Sequence, residues 1–147
     1  MEFVRVRHRD DPLTWVIRDD PVRPHIPIEQ RVNERAEILV LKNGQDIMAV
    51  TCMCWLSTIP ESEADLQTPP TDSLVAVFYT IWSYTPGAGR RLLELASAWL
   101  REEFKDLQAI VTLSPQTDMA RRFHLRNGAA EYRKNADSVN YRYYLKE

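Results

Sequence analysis

Apolar residues recur along the chain with two different periods, and the changes of period divide it into predicted strands and helices. Alternation in "EFVRVRH" predicts a first strand, and apolar positions three and four apart in "DDPLTWVIRDD" predict a short helix behind aspartate caps. Three prolines hold "DPVRPHIP" extended, and "IEQRVNER" has room for one or two helical turns. The first third of the chain therefore predicts one strand and two short helices.

The middle of the chain carries its clearest strand signals. Two β-rich runs in "AEILVLKNGQDIMAVTCMCWLS" surround Asn43 and Gly44, a pair typical of a tight hairpin turn. The continuous apolar run "SLVAVFYTIWS" predicts a strand covered on both faces at the centre of the sheet. Between them, residues 60–73 are rich in Pro, Ser, Thr and acids, which predicts a loop with the composition of a mobile linker.

The last part alternates helices with strands. An apolar stripe predicts a helix from Gly89 to about Phe104, and "LQAIVTLS" predicts a second buried strand. Ser114 and Pro115 predict the start of a helix that ends at Asn127-Gly128 and directs Met119, Ala120 and Phe123 inward. "AAEYRK" and "SVNYRYYLK" predict two antiparallel strands, so residues 1–147 form one α/β domain with the order β-α-α-β-β-β-α-β-α-β-β.

Composition removes several functional classes. With 19 Lys and Arg against 21 Asp and Glu there is no overall basic field, so a nucleic-acid partner would rest only on "RRFHLR". No apolar run reaches the roughly 18 residues of a membrane span, which predicts a soluble, cytoplasmic protein. Cys52 and Cys54 share one strand face as small core residues, and the three histidines are scattered, so no metal site is predicted.

Two of the chain's four glycines lie one residue apart in "YTPGAGRRLL", between the central strand and the long helix. This arrangement presents unpaired backbone N–H groups and the positive end of a helix dipole to a bound anion. A P-loop would need Lys where Arg90 stands, and a dinucleotide-binding turn would need glycine at Leu92, so neither fits. A tight turn that merely enters the helix is the alternative.

Two segments together resemble the Gcn5-related N-acetyltransferase (GNAT) superfamily, over residues 74 to about 135. Gly87 and Gly89 match the glycines of its first motif and Leu92 and Leu93 the apolar pair, while Tyr84 replaces the usual Gln or Arg. The second motif is kept in spacing, with Thr117, Ala120, His124, Gly128 and Ala129 at the positions of its Asn, Ala, Tyr, Gly and Phe.

The resemblance implies a GNAT fold, with a mixed, mostly antiparallel sheet flanked by helices. It also implies an acyltransferase that moves an acetyl group from acetyl-CoA to a primary amine of a small molecule, peptide or protein. The diphosphate would lie on the amides from Thr85 to Arg90, and the thioester near the splayed end between the two buried strands. The implied cofactor-binding residues are Phe78, Tyr79, Thr80, Ile81, Tyr84, Thr85, Pro86, Gly87, Ala88, Gly89, Arg90, Thr117, Ala120 and Phe123.

Acetyl transfer needs a group that takes a proton from the amine and one that assists the leaving thiolate. A lysine-like amine of pKa near 10.4 costs about 4 to 5 kcal/mol to neutralise at pH 7. The central strand lacks the Glu that often serves there, which leaves Asp72, Glu29 and Glu34 as candidate bases or simply as solvated carboxylates. His124 stands at the position of the family's Tyr donor. There it would donate a hydrogen bond as a neutral ring or a proton as an imidazolium. The alternative is a histidine that simply occupies a helix face.

The departures from the family pattern support a second hypothesis from a different class. Tyr84, Thr117, His124 and the missing strand Glu also fit a GNAT-fold protein that has lost catalysis. Such a protein would serve as a binding, regulatory or phage virion-type structural component. The sequence leaves open both a homodimer and the identity of the acceptor.

Overall fold

A seven-stranded sheet forms the centre of the molecule, in a computed structural model that describes residues 1–144. Its strands are β1 (Glu2–Val6), β2 (Ala36–Asn43), β3 (Asp46–Leu56), β4 (Val75–Ser83), β5 (Ala109–Thr112), β6 (Ala129–Lys134) and β7 (Val139–Tyr143). They lie in the order β1-β2-β3-β4-β5-β7-β6, with β4 and β5 parallel and the other neighbouring pairs antiparallel. The predicted mixed, mostly antiparallel sheet is confirmed.

Three α-helices and two 3₁₀ helices connect the strands. They are the first 3₁₀ helix (Pro12–Asp19), α1 (Ile28–Arg31), the second 3₁₀ helix (Glu63–Gln67), α2 (Ala88–Glu103) and α3 (Asp118–Arg126). Apart from the second 3₁₀ helix, which lies inside the predicted loop, the elements follow the predicted order. Alternation along β2 sends Ile38 and Val40 to one apolar cluster and Leu39 and Leu41 to the other, so the sheet has a core on each face.

The β2–β3 hairpin is confirmed, but its turn lies one residue later than the Asn43-Gly44 pattern indicates. Asn43 pairs with Asp46, so Gly44 and Gln45 are the two central residues. Gly44 has φ +63°, and within residues 1–144 only glycines have positive φ. A positive φ at the first central position alone is a type II′ turn, which requires glycine there.

The start of α3 differs from the prediction at Ser114 and Pro115. The helix begins at Asp118 because the Thr117 hydroxyl caps it, accepting the backbone N–H of Ala120 at 3.2 Å. Ser114 instead forms a β-bridge with Val139, which keeps the chain extended beyond β5.

Two further predictions for α3 have different outcomes. The inward orientation predicted for Met119 is wrong, since its side chain is 77% exposed. The predicted C-terminus is confirmed, because Gly128 follows the helix with φ +94°.

The predicted linker of residues 60–73 is folded against the sheet. Its 3₁₀ helix buries Leu66 in the core. Arg133 of β6 donates to the carbonyls of Ile59 and Pro60 at 3.1 and 3.2 Å, and Asn140 of β7 donates to the Pro60 carbonyl at 2.9 Å. The sequence showed the polar composition of this segment but not the partners that dock it.

A buried ion pair fixes the segment before β2 to the central strand. Arg31 Nη1 donates to Asp20 Oδ2 at 2.7 Å, and both side chains are 0% exposed. The other carboxylate oxygen of Asp20 accepts the backbone N–H groups of Val22 and Arg23 and, at 2.8 Å, the hydroxyl of Thr80 in β4. The Asp20 carboxylate thus joins α1, the chain just after Asp20 and strand β4. Residues 20–31 therefore keep a fixed position beside β4.

Removing one partner of this pair should destabilise the protein strongly. We expect Arg31→Met to lower the free energy of unfolding by about 3 to 5 kcal/mol, because it leaves the Asp20 charge buried and unpaired. Urea denaturation measures the change. The control is Arg90→Met, which removes an exposed ion pair with Glu94 and should cost less than about 1 kcal/mol. Equal losses in the two variants would contradict the assigned role of the buried pair.

Acid should weaken the fold through Asp20. Burial alone would raise the pKa of Asp20, but its hydrogen bonds from Arg23, Arg31, Val22 and Thr80 together lower it. A carboxyl group whose pKa is lowered by folding stabilises the folded state at pH values above its ordinary pKa of about 3.9. This contribution is lost as the pH falls through the pKa of the folded state. Melting temperature measured from pH 7 to pH 3 should therefore fall less steeply for Asp20→Asn than for the wild type; parallel curves would refute this.

Candidate functional site

The separation of β4 from β5 opens a cleft in the sheet. The two strands pair only from Val75–Phe78 with Ala109–Thr112, and a last backbone bond of 3.2 Å joins Leu113 N–H to the Phe78 carbonyl. Beyond it β4 continues to Ser83, whereas the chain after β5 turns away toward α3. A cavity of about 620 Å³ fills the gap, a size typical of small-molecule sites.

The cavity brings together residues from four parts of the chain. Those that the sequence predicted are Phe78, Tyr79, Thr80, Ile81, Gly89, Thr117, Ala120, Phe123 and His124. Those that it missed are Pro21, Val22, Trp82, Ser83, Leu113, Ser114, Pro115 and Met119. Ser114 and Pro115 lie just beyond the end of a buried parallel strand, which is a signal for a site, whereas no sequence motif marks Pro21 or Val22.

The β4–α2 turn presents unpaired backbone N–H groups beside this cavity. Tyr84 N–H bonds to the Met48 carbonyl and Ala88 N–H to the Thr85 carbonyl. By contrast, the N–H groups of Thr85, Gly87, Gly89 and Arg90 have no acceptor within the described residues. Together with the positive end of the α2 dipole they form an anion-binding turn, which we call the amide cradle.

The two glycines of the cradle, Gly87 and Gly89, differ in backbone conformation and in surroundings. Gly87 caps α2 in the left-handed region at φ +82°, which other residues adopt only with strain. At Gly89 a Cβ would lie 3.4 Å from Phe123 Cζ and 3.9 Å from Ile81 Cδ1, which is ordinary van der Waals contact. Gly87 therefore shapes the turn, whereas Gly89 lies where α2 packs on the cavity wall.

Tyr84, which departs from the family pattern, has a structural partner. Its hydroxyl donates to Asp19 Oδ2 at 2.7 Å and accepts from Trp82 Nε1 at 3.1 Å. Tyr84 thus ties the amide cradle to the end of the first 3₁₀ helix. Neither it nor Thr85, Pro86, Gly87, Ala88 and Arg90 lines the cavity itself; they lie in the adjoining turn and first helical residues.

The arginines in the first turn of α2 are compensated within the helix. Arg90 and Arg91 lie 3.1 and 3.5 Å from the carboxylate of Glu94. Glu94 offsets the unfavourable position of two cations at a helix N-terminus. Their side chains are exposed and are held by this carboxylate.

His124 is buried in the wall of the cavity and is uncharged at neutral pH. Its ring stacks on Tyr141 with centroids 5.0 Å apart, and its Nδ1 lies 2.7 Å from the Tyr143 hydroxyl. Burial lowers the pKa of His124 to about 4. Nε2 has no hydrogen-bond partner in residues 1–144. The neutral ring of His124 can therefore form one more hydrogen bond, through Nε2, but has no imidazolium proton to give.

The predicted carboxylate bases do not meet at the cavity. Glu29 is exposed on α1, and Asp72 is exposed before β4, at the opposite end of that strand from the cleft. Glu34 lines a separate cavity with Arg7 and His8. Within the described chain, no carboxylate lines the cleft.

Residues 1–144 also bear on metal ligands, on the two cysteines and on membrane-spanning helices. They contain no cluster of three or more His, Cys, Asp or Glu side chains able to hold a metal ion. Burial raises the pKa of the free thiols Cys52 and Cys54 to about 11 and about 12, which makes them inert core residues. No helix in this part of the chain is long and apolar enough to cross a bilayer.

Comparisons by sequence and by structure give different results. No protein-family model matches the sequence, and no curated protein matches it. Structural matches are extensive. The malonyl-CoA decarboxylase of Agrobacterium vitis matches 99% of this chain at 17% identity and a TM-score of 0.80, and this chain spans about 60% of the decarboxylase chain.

Two acetyltransferases match as well. Tetrahymena GCN5 aligns over 99% of this chain and 97% of its own, at 14% identity and a TM-score of 0.68. The PaiA N-acetyltransferase of Thermoplasma acidophilum, solved in complex with coenzyme A, aligns over 74% of this chain and 60% of its own, at 12% identity and a TM-score of 0.53. The chain therefore has the GNAT fold, as the resemblance in sequence implied.

The glycine pair should respond unequally to the same substitution. We expect Gly87→Ala to lower the free energy of unfolding by about 1 to 2 kcal/mol, because it forces alanine into the left-handed region. Gly89→Ala should cost less, because its φ is not positive and its Cβ contact at 3.4 Å is offset by the better helix propensity of alanine. Chemical denaturation of both variants measures this, and a larger loss at Gly89 would contradict it.

The state of His124 can be measured directly. Because burial lowers its pKa to about 4, its imidazole should remain neutral from pH 8 down to about pH 5. Nitrogen-15 NMR of histidine-labelled protein reports the ring state, and the His124→Gln spectrum assigns the signal. A titration midpoint near the ordinary value of about 6.5 would show that the ring is charged under acidic cellular conditions.

Proposed function

We propose that this chain is an acyltransferase that moves an acetyl group from acetyl-CoA to a primary amine. The observation that carries the proposal is the amide cradle at the end of β4, beside a cavity that opens where β4 has lost its β5 partner. The cradle suits the diphosphate of CoA, and the cavity suits its pantetheine arm and thioester. The proposal draws support from a structural neighbour that is solved with coenzyme A.

The unpaired edge of β4 supplies the matching polar groups along the cavity. From Thr80 to Ser83 the strand has no partner on its β5 side in the described chain. The amides of a pantetheine arm would pair with this edge as an added strand does. Phe78, Ile81 and Phe123 would enclose the apolar part of the arm.

His124 would assist the departure of CoA as a neutral donor. In the tautomer in which the Tyr143 hydroxyl donates to Nδ1, the ring proton lies on Nε2, which has no hydrogen-bond partner among residues 1–144. That N–H would stabilise the thiolate sulfur as the acyl bond breaks. The proton of the amine would leave through water, since the described cavity lining lacks a carboxylate.

A second function, decarboxylation of a malonyl thioester, is favoured by that same lack of a base. When the bond between the carboxylate and the α-carbon breaks, its electron pair forms the enolate of acetyl-CoA and carbon dioxide leaves. A proton from solvent then completes acetyl-CoA, so no group needs to deprotonate a substrate. A neutral His124 would stabilise the enolate oxygen in a largely apolar site, and the match to malonyl-CoA decarboxylase adds support.

One experiment separates the two reactions. Acetyl transfer releases free CoA thiol from acetyl-CoA and requires an amine, whereas decarboxylation converts malonyl-CoA to acetyl-CoA without releasing thiol. Each thioester is incubated with the protein, with and without a mixture of polyamines and amino acids, and the products are followed by thiol titration and mass spectrometry. Amine-dependent thiol release supports the transferase. Binding of the thioesters without either reaction would overturn both and support a protein that has lost catalysis.

Ligand binding by the cradle has its own test. Acetyl-CoA at a hundred times its dissociation constant should stabilise the protein by about 2.7 kcal/mol, which thermal melting detects. Gly87→Glu should abolish the shift because it places bulk and negative charge against the diphosphate.

The matched control is Gly44→Glu, which makes the same change at another left-handed glycine, φ +63°, in the β2–β3 turn. It should lower the melting temperature but keep the shift with acetyl-CoA. If the two variants respond alike to acetyl-CoA, the cradle is not the binding site.

A further inference from the structure

We propose that Arg23 binds a carboxylate on the substrate, on the side of the cleft away from α2 and α3. The inference rests on the proposed action on acyl-CoA and goes beyond it by naming a chemical group of the substrate. Arg23 belongs to residues 20–31, whose Ile26 packs in the apolar cluster on the sheet face opposite α2. The segment carries no sequence motif that marks Arg23.

The guanidinium of Arg23 is buried against the wall of the cleft. Its side chain is 9% exposed, and Nη1 donates to the Tyr79 carbonyl, next to the point at which β4 leaves β5. Tyr79 and the neighbouring Val22 both line the cavity. Arg23 itself does not line the cavity, but it follows one lining residue in sequence and bonds to the carbonyl of another, so its charge is held next to the space proposed for the thioester.

Arg23 is also incompletely paired. Nε donates to Glu63 at 3.0 Å, but Nη2 has no hydrogen-bond partner among residues 1–144. The adjacent Arg31 shows the contrast, since its Nε, Nη1 and Nη2 donate to the Ile26 carbonyl, Asp20 and the Arg23 carbonyl. Among the described residues the Tyr79 hydroxyl is the fully buried side-chain polar atom that lacks a partner, so Nη2 of Arg23 keeps contact with solvent and is free to donate to a ligand.

The carboxylate that is hydrogen-bonded to the Arg23 guanidinium is shared and partly in water. Glu63 is 44% exposed, and its second oxygen lies 2.6 Å from His25 Nε2. The pairing therefore leaves part of the Arg23 charge available to another anion. A carboxylate fits this need, because its two oxygens match the planar fork of a guanidinium.

The carboxylate has two possible sources of the same chemistry. In a malonyl thioester it belongs to the acyl group, and in an amino acid it belongs to the amine acceptor. Both place the carboxylate a few bonds from the thioester carbonyl. The test therefore has one arm for each source.

In the first arm, titration calorimetry compares malonyl-CoA with acetyl-CoA on the full chain. Wild type should bind malonyl-CoA roughly ten to a hundredfold more tightly, and Arg23→Gln should remove this preference while keeping the affinity for acetyl-CoA. In the second arm, amino acids are compared with their amides as acceptors, and Arg23→Gln should raise KM for the acids alone.

Three further variants keep the proposal falsifiable. Arg23→Lys retains the charge without the fork and should keep part of the preference. Glu63→Gln removes the counter-charge and should strengthen binding of the carboxylate ligand, which a purely structural Arg23 would not do. Arg9→Gln, which removes another arginine that donates to a backbone carbonyl, that of Val32, should leave both preferences unchanged.

The outcomes of this test separate the two proposals. A wild-type protein that binds neither thioester contradicts the proposed function itself. If acetyl-CoA binds and Arg23→Gln alters neither the malonyl preference nor the discrimination between acids and amides, the assignment of Arg23 is overturned while the proposed function stands.

Discussion

Backbone hydrogen bonding along β4 is the constraint on which the cleft depends. A strand in the middle of a sheet must satisfy its N–H and C=O groups on both sides. Once β5 ends its pairing at Phe78, β4 has an extra residue on its β3 side, because Phe78 pairs with Met53 and Thr80 with Cys52. The carbonyl of this bulged residue, Tyr79, accepts from Arg23. The sheet therefore opens where β4 is bulged and is contacted by a side chain from the segment before β2.

The contact between Arg23 and the Tyr79 carbonyl explains why so much charge is buried before β2. Arg23 reaches Tyr79 only because residues 20–31 are held in place, and Asp20 and Arg31 hold them with contacts to one another and to Thr80. Buried ion pairs stabilise a fold little compared with apolar side chains of the same size. Here the Asp20–Arg31 pair holds residues 20–31 beside β4, so it contributes to the position of Arg23 more than to the free energy of unfolding.

The sequence predicted the strands and long helices because each has a strong local period. It predicted the cradle because Gly87 and Gly89 stand between a buried strand and an amphipathic helix. It did not predict the docking of residues 60–73 or the roles of Asp20, Arg23 and Arg31, since these depend on partners 11 to 80 positions away. A charged residue in a proline-rich segment looks solvated until the fold brings its partner.

The charge of the site is what most limits its chemistry. The same apolar packing that positions His124 against Tyr141 also keeps its ring neutral, so it can polarise an oxygen or sulfur but is a poor acid and a poor base at pH 7. A reaction in this cleft must therefore either bring its own uncharged nucleophile or need none. Acetylation of an amine meets the first condition only with help from water, while loss of carbon dioxide meets the second directly. Both proposed reactions are compatible with a neutral His124, and a carboxylate bound by Arg23 would belong to the acyl group in one and to the acceptor in the other.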